Sequence, residues 1–171
     1  LFVVRPRERR APILLTIEAN TYCAYNPVGG KCLFPYLSTD REHSELLSFE
    51  RPLQPDFMGG FYAWDQFFTS WLHAEGYAVD YCVNADHDAE PGILDGYNAH
   101  LRIGHGEYVS RTECEQLQRF VMRGGNLMVF AGNAFWHVVE TRDNKRRLFC
   151  AKSRYNPNPL GTPDNPETSI L

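Results

Sequence analysis

AHLRIGHGEYVSRTECEQLQRFVMRGGNLMVFAGNAFW, residues 99–136, decides the fold class. Residues 99–103 read as a short strand and Gly104-His105-Gly106-Glu107 as a tight turn. Ser110 or Thr112 then caps a helix over 111–123, where Leu117, Phe120 and Val121 share one face. Gly124-Gly125 stops that helix, because glycine takes the left-handed conformation that ends helices without strain. Residues 126–131 (NLMVFA) are a second strand, apolar throughout. Strand, crossover helix and strand make one parallel unit, since parallel neighbours cannot be joined by a hairpin.

The same grammar extends upstream. YAVDYCV (77–83) reads as a strand. It follows a helix over 61–76, whose Phe61, Trp64, Phe68, Trp71 and Leu72 recur at helical steps before Gly76. APILLTIEA (11–19) is an apolar run of strand length without helical period, as for a strand buried on both faces. NTYCAYNPVGG (20–30) and NADHDAEPG (84–92) are dense in turn formers and read as loops. Residues 31–60, ending in Met58-Gly59-Gly60, stay irregular, a length that suits a functional loop or lid. The chain from Ser153 onward lacks periodicity and reads as a loop or ragged terminus. The expected architecture is α/β with a mainly parallel sheet. NTYCAYN, NADHD, GHGEY and GNAFW then each follow a strand, at the carboxyl edge where open α/β sheets bind ligands.

Composition narrows the function. The 171 residues are 43% hydrophobic and 22% charged, as in an ordinary folded domain. No apolar run is long enough to span a membrane. The net charge of −4, with the signs mixed, argues against nucleic acid. Cys23, Cys32, Cys82, Cys114 and Cys150 are scattered and never in a C-x-x-C pair, so they read as reduced, buried thiols of a cytoplasmic protein. The chain lacks an initial Met; residues 1–10 read as an extension from a preceding segment and 11–171 as the α/β domain of a longer polypeptide.

Of the residues able to do chemistry, His105 and Glu107 stand out. Glycines on either side of His105 expose both on a strand-to-helix turn, as acid/base and metal ligand, or as a helix cap and a carboxylate favouring the helix dipole. Asn133, after a buried strand, can orient a substrate or donate to an oxyanion, or serve as a turn residue. Asp86, His87 and Asp88 can hold a cation or form a solvated turn. Tyr22, Tyr25 and Tyr62 line a pocket or the core. No phosphate-binding glycine fingerprint, nucleophile elbow or H-E-x-x-H is present.

TYCAYNPVGG, LSFERPL, FFTSWLHAEGYAVDYCVNADHD, ILDGY, GHGEY, RGGNLMVFAGNAFW and RRLFCAK occur in an order that resembles the C-terminal domain of the large (beta) subunit of N,N-dimethylformamidase, over roughly residues 12–152. The resemblance implies a class I glutamine amidotransferase-like, flavodoxin-like three-layer sandwich, truncated at its C-terminus if the chain is a fragment. A truncated sheet would leave an apolar edge exposed. It also implies hydrolysis of a small amide by a mononuclear ferric ion held by two tyrosines and a glutamate. Glu107 matches the glutamate ligand and Tyr25 one tyrosine; Tyr62 is taken for the second, with Tyr22 in reserve. His105 and Asn133 match polar active-site residues, and Trp64, Phe68, Phe135 and Trp136 would keep the pocket dry. A small subunit and a homo-oligomer are the implied partners. The turn at His105-Gly106-Glu107 carries no cysteine where amidotransferases of this fold keep their nucleophile, and Gly106 stands where the family commonly has proline or an acidic residue. Two other readings compete: a catalytically silent module binding a sugar or small molecule, and hydrolysis with zinc or another ion through Asp86, His87 and Glu107.

Overall fold

The parallel unit read from residues 99–136 is present, in a chain whose computed structural model describes residues 3–53 and 60–151. The expectations for Met58-Gly59 and for the tail from Ser153 lie outside those residues. Four strands, β1 (Ile13–Ile17), β3 (Val79–Val83), β4 (Ala99–His105) and β6 (Asn126–Gly132), form a parallel sheet in the order β3-β1-β4-β6. Leu15 of β1 lies opposite Tyr81 on one side and Leu101 on the other. A second sheet, β2 (Leu46–Ser48), β8 (Arg147–Phe149), β7 (His137–Arg142) and β5 (Tyr108–Ser110) in that order, is mixed: β5 and β7 are parallel, the other pairs antiparallel.

Helices pack on both faces of the parallel sheet. On one, Leu14 and Cys82 meet Cys114, Leu117 and Phe120 of α4 (Arg111–Met122). On the other, Leu15, Ile17, Leu101 and Ile103 meet Leu72 of α2 (Asp65–Ala74). Burying side chains of this size stabilises by about 1.5–3 kcal/mol each. Ser110 caps α4, its hydroxyl accepting from the Glu113 N–H at 3.0 Å, and Gly124, at φ +92, ends it. Val121 departs from the expected face and is exposed.

Two segments read as loops are short helices, α1 (Ala19–Tyr25) and α3 (Asn84–Ala89). Each has two alanines, but Asn, Thr, Tyr and Cys in α1 and Asn, Asp and His in α3 are weak helix formers, so local propensity did not outweigh the turn formers around them. Tertiary contacts supply the order instead. Burial of Tyr22, Cys23 and Ala24 holds α1, and the Arg51 guanidinium donates to the carbonyls of Cys23, Asn26 and Val28 at its end. In α3, the Asp86 carboxylate accepts from the Val83 N–H at 2.8 Å.

Two apolar segments are less buried than their patterns imply. Helix α2 starts at Asp65, and Trp64, Phe67 and Trp71 stay exposed while Leu72 reaches the core. Among the described residues β6 is one of the two edge strands of its sheet, with Phe130 59% exposed. All five cysteines are buried.

Candidate functional site

The ends of β1, β4 and β6 bring the GHGEY and GNAFW segments against α1. Thr21 of α1 accepts from the Tyr108 N–H at 3.3 Å, fixing the helix to the loop after β4. The Phe135 N–H donates to the Gly106 carbonyl at 2.9 Å, and the His137 N–H to the Glu107 carbonyl at 2.8 Å, fixing the loop after β6 to the same place. Asn133 and Phe135 have φ +48 and +61, a conformation costly for a bulky ring, so this turn is held in shape by its surroundings.

Glu107 is the centre of the arrangement and only 4% exposed. Its Oε2 accepts from the Tyr25 hydroxyl and lies 3.4 Å from Nε2 of His105. Its Oε1 lies 3.5 Å from Nε2 of His137. The Tyr25 and His105 rings are 5.3 Å apart, and His137 stacks on Tyr108 at 5.2 Å. Burial, reinforced by the Glu107 carboxylate, pushes the Tyr25 phenol above its ordinary value. The phenol is therefore protonated here, and a cation would have to replace the proton it shares with Glu107. Phenol and carboxylate oxygens are hard donors, the kind a ferric ion prefers.

The expected residues separate into those the fold gathers and those it does not. Tyr25, His105 and Glu107 meet. Asn133 follows Gly132, the register partner of His105, and so stands at the same edge, exposed. Tyr62 is 56% exposed with its ring edge-on to Phe61. Its turn abuts the end of β4, where Trp64 packs so closely on Gly104 that a Cβ there would meet the Trp64 Cβ at 2.8 Å. Tyr22 faces elsewhere: its hydroxyl donates to the buried Asp65 carboxylate. Of the four aromatic residues expected to dry the pocket, Phe135 is buried beneath Arg102 and Phe68 packs on Phe130 and Trp71. Trp64 and Trp136 are half-exposed.

The donor set Asp86, His87 and Glu107 is not assembled. His87 is fully buried, bonded to Thr16 and Gln116, and burial lowers its pKa to about 4. Asp86 caps α3, and Asp88 accepts from the Ser110 hydroxyl at 2.5 Å. Among the described residues, no group of three or more His, Cys, Asp and Glu side chains is arranged to hold a metal ion.

Two features went unseen in the sequence. One is His137, a single residue beyond the GNAFW segment; a histidine after an aromatic pair at a strand's loop was the available signal. The other is a buried ionic cluster under the site. Arg102 donates to Glu18 through Nε and Nη2 at 2.6 and 2.5 Å, and to Glu113 through Nη1 at 2.6 Å. Burial raises the pKa of both glutamates, and Arg102 opposes the rise. Glu18 lies directly behind Gly106, where a Cβ would come within 2.9 Å of its Oε1. That contact explains the glycine.

The model of the family described as N,N-dimethylformamidase beta subunit-like, C-terminal, matches residues 1–169. The chain belongs to this family. No curated protein matches its sequence. The family is named for a beta subunit, which accords with association with other subunits. Among the described residues no helix is long and apolar enough to cross a membrane.

Proposed function

We propose that this member of the N,N-dimethylformamidase beta subunit-like family is a hydrolase of small amides that uses a mononuclear ferric ion. The observation that carries the reading is the contact of the Tyr25 hydroxyl with the Glu107 carboxylate, with His105 alongside. Tyr25 and Glu107 would hold the ion, and Tyr62, on the turn seated against β4, would complete the set. Family membership supports the finer fold as well: residues 11–171 as a class I glutamine amidotransferase-like, flavodoxin-like three-layer domain after a 1–10 extension, associated with a small subunit. Buried, scattered cysteines with no C-x-x-C pair suit a reducing compartment such as the cytoplasm.

When bound, a ferric ion supplies Lewis acidity toward the amide carbonyl and lowers the pKa of a water molecule. The chain's residues do the rest. His105, one-quarter exposed at the mouth of the site, accepts a proton from the attacking water at its free nitrogen and returns it to the leaving amine. Asn133 donates its amide N–H to the carbonyl oxygen as negative charge develops there. Trp64 and Trp136, half-exposed at the rim, limit water and favour small apolar substituents on nitrogen.

The test is the iron content of purified protein, its visible spectrum, and release of amine from a panel of small formamides. About one iron per chain, a tyrosinate charge-transfer band and amine release are expected. Folded, colourless protein that takes up no added ferric ion would overturn the reading and leave a binding module on the same scaffold.

A further inference from the structure

The two oxygens of Glu107 have different neighbours. Oε2 meets the Tyr25 hydroxyl and His105, whereas Oε1 faces His137 at 3.5 Å. His137 is built into that position. As the first residue of β7 it pairs with Tyr108 of β5, and its backbone N–H holds the Glu107 carbonyl. Its ring stacks on the fully buried Tyr108 at 5.2 Å and 29°, and it is only 7% exposed. A side chain so restrained has little rotamer freedom left to lose in holding a carboxylate.

We infer that His137 is a positioning residue: it holds Oε1 of Glu107 and leaves Oε2, the oxygen shared with Tyr25, as the one through which Glu107 serves the site. This rests on the proposed function for what Oε2 does, but not for the clamp itself. A clamped carboxylate presents one oxygen at a fixed orientation, and groups that orient a ligating side chain typically contribute about 10–100-fold to metal affinity. A carboxylate free to rotate would expose either oxygen and lose the pairing with Tyr25.

The experiment compares wild type, His137→Phe and His137→Gln, with thermal melting as the check on folding. Phenylalanine keeps the stack on Tyr108 and removes the nitrogen; glutamine restores a donor. The first readout is the carbon resonance of the Glu107 carboxylate in metal-free protein, expected to move in His137→Phe and to return toward wild type in His137→Gln. The second is ferric-ion affinity, expected to fall about 10–100-fold in His137→Phe and to recover in His137→Gln. An unmoved resonance, or equal affinity in wild type and His137→Phe, overturns the inference. Wild type that binds no iron removes the proposed function instead, and the resonance still decides the clamp. If His137→Phe does not fold, His137→Gln and His137→Leu carry the same comparison.

Discussion

Arg102 and Glu18 form a two-pronged ion pair, 2.6 and 2.5 Å, wholly inside the protein at the carboxyl end of the parallel sheet. Glu18 backs Gly106 of the Glu107 loop, while the Arg102 guanidinium lies 5.0 Å from the centre of the Phe135 ring in the Asn133 loop. One cation thus supports both loops that form the site. Because it also holds Glu113, two buried carboxylates depend on it.

Removing that cation should be worse than removing the whole cluster. Arg102→Met strands Glu18 and Glu113 without a counter-charge and is expected to cost about 3–5 kcal/mol. The triple variant Arg102→Met, Glu18→Gln, Glu113→Gln strands no charge and should recover part of that loss. Chemical denaturation of the two variants checks the order. A triple variant less stable than Arg102→Met would contradict it.

Asp65 gives a pH dependence of defined sign. Burial raises its carboxyl from 3.8 to about 7, the Tyr22 hydroxyl only partly opposing the shift. A carboxyl raised on folding contributes stability that is complete below its unfolded value and lost as pH rises through its folded value. Relative to Asp65→Asn, wild type should therefore lose stability between pH 5 and pH 8, at up to about 1.4 kcal/mol per pH unit. Comparing melts of the two proteins cancels the opposite trend of buried His87, whose pKa lies near 4 and whose contribution fades as pH falls. Parallel melting curves across that range would show that Asp65 does not titrate there.

Gly104 joins the turn of Tyr62 to the end of β4. Its φ of +79 disfavours a side chain, and a Cβ would meet Trp64 at 2.8 Å. Gly104→Ala should cost about 1–2 kcal/mol from backbone conformation alone, with the clash in addition. Trp64 must then move, taking its turn with it. Intrinsic fluorescence of Trp64, measured in a background lacking the other two tryptophans, should change with the substitution.

The parallel sheet was legible because it rests on local signals: an apolar run at 126–131, helical spacing at 117 and 120, and glycines at 124–125. So was the convergence of the NTYCAYN and GHGEY segments on one edge, which follows from parallel strands, whereas the grouping of Tyr25 with Glu107 came only from the family resemblance. The helices α1 and α3 were not, because their order comes from burial and from Arg51, which lies 26 residues beyond the end of α1 at Tyr25. The Arg102 cluster was hidden for a related reason. Its members sit at 18, 102 and 113, and a charged residue in the middle of a strand gives no sign of its partners. Likewise, β7 and β8 pair through a turn at Asp143, Asn144 and Lys145, all in the left-handed region, amid a charged stretch without strand alternation.

Asn133 allows backbone geometry and side-chain chemistry to be separated at a single position. Its φ of +48 suits asparagine or glycine and strains alanine. Were it only a turn residue, Asn133→Gly should be harmless and Asn133→Ala should lower stability by about 1 kcal/mol. Were its amide also to hold the carbonyl oxygen of a substrate, Asn133→Gly should keep wild-type stability and iron content yet lose about 100-fold or more in kcat, the scale of removing one donor to a developing oxyanion. Asn133→Ala should then lose both stability and turnover. The melting temperature and kcat of the two variants, read together, distinguish the cases, and the second is expected. Full turnover in Asn133→Gly would reduce Asn133 to its role in the turn.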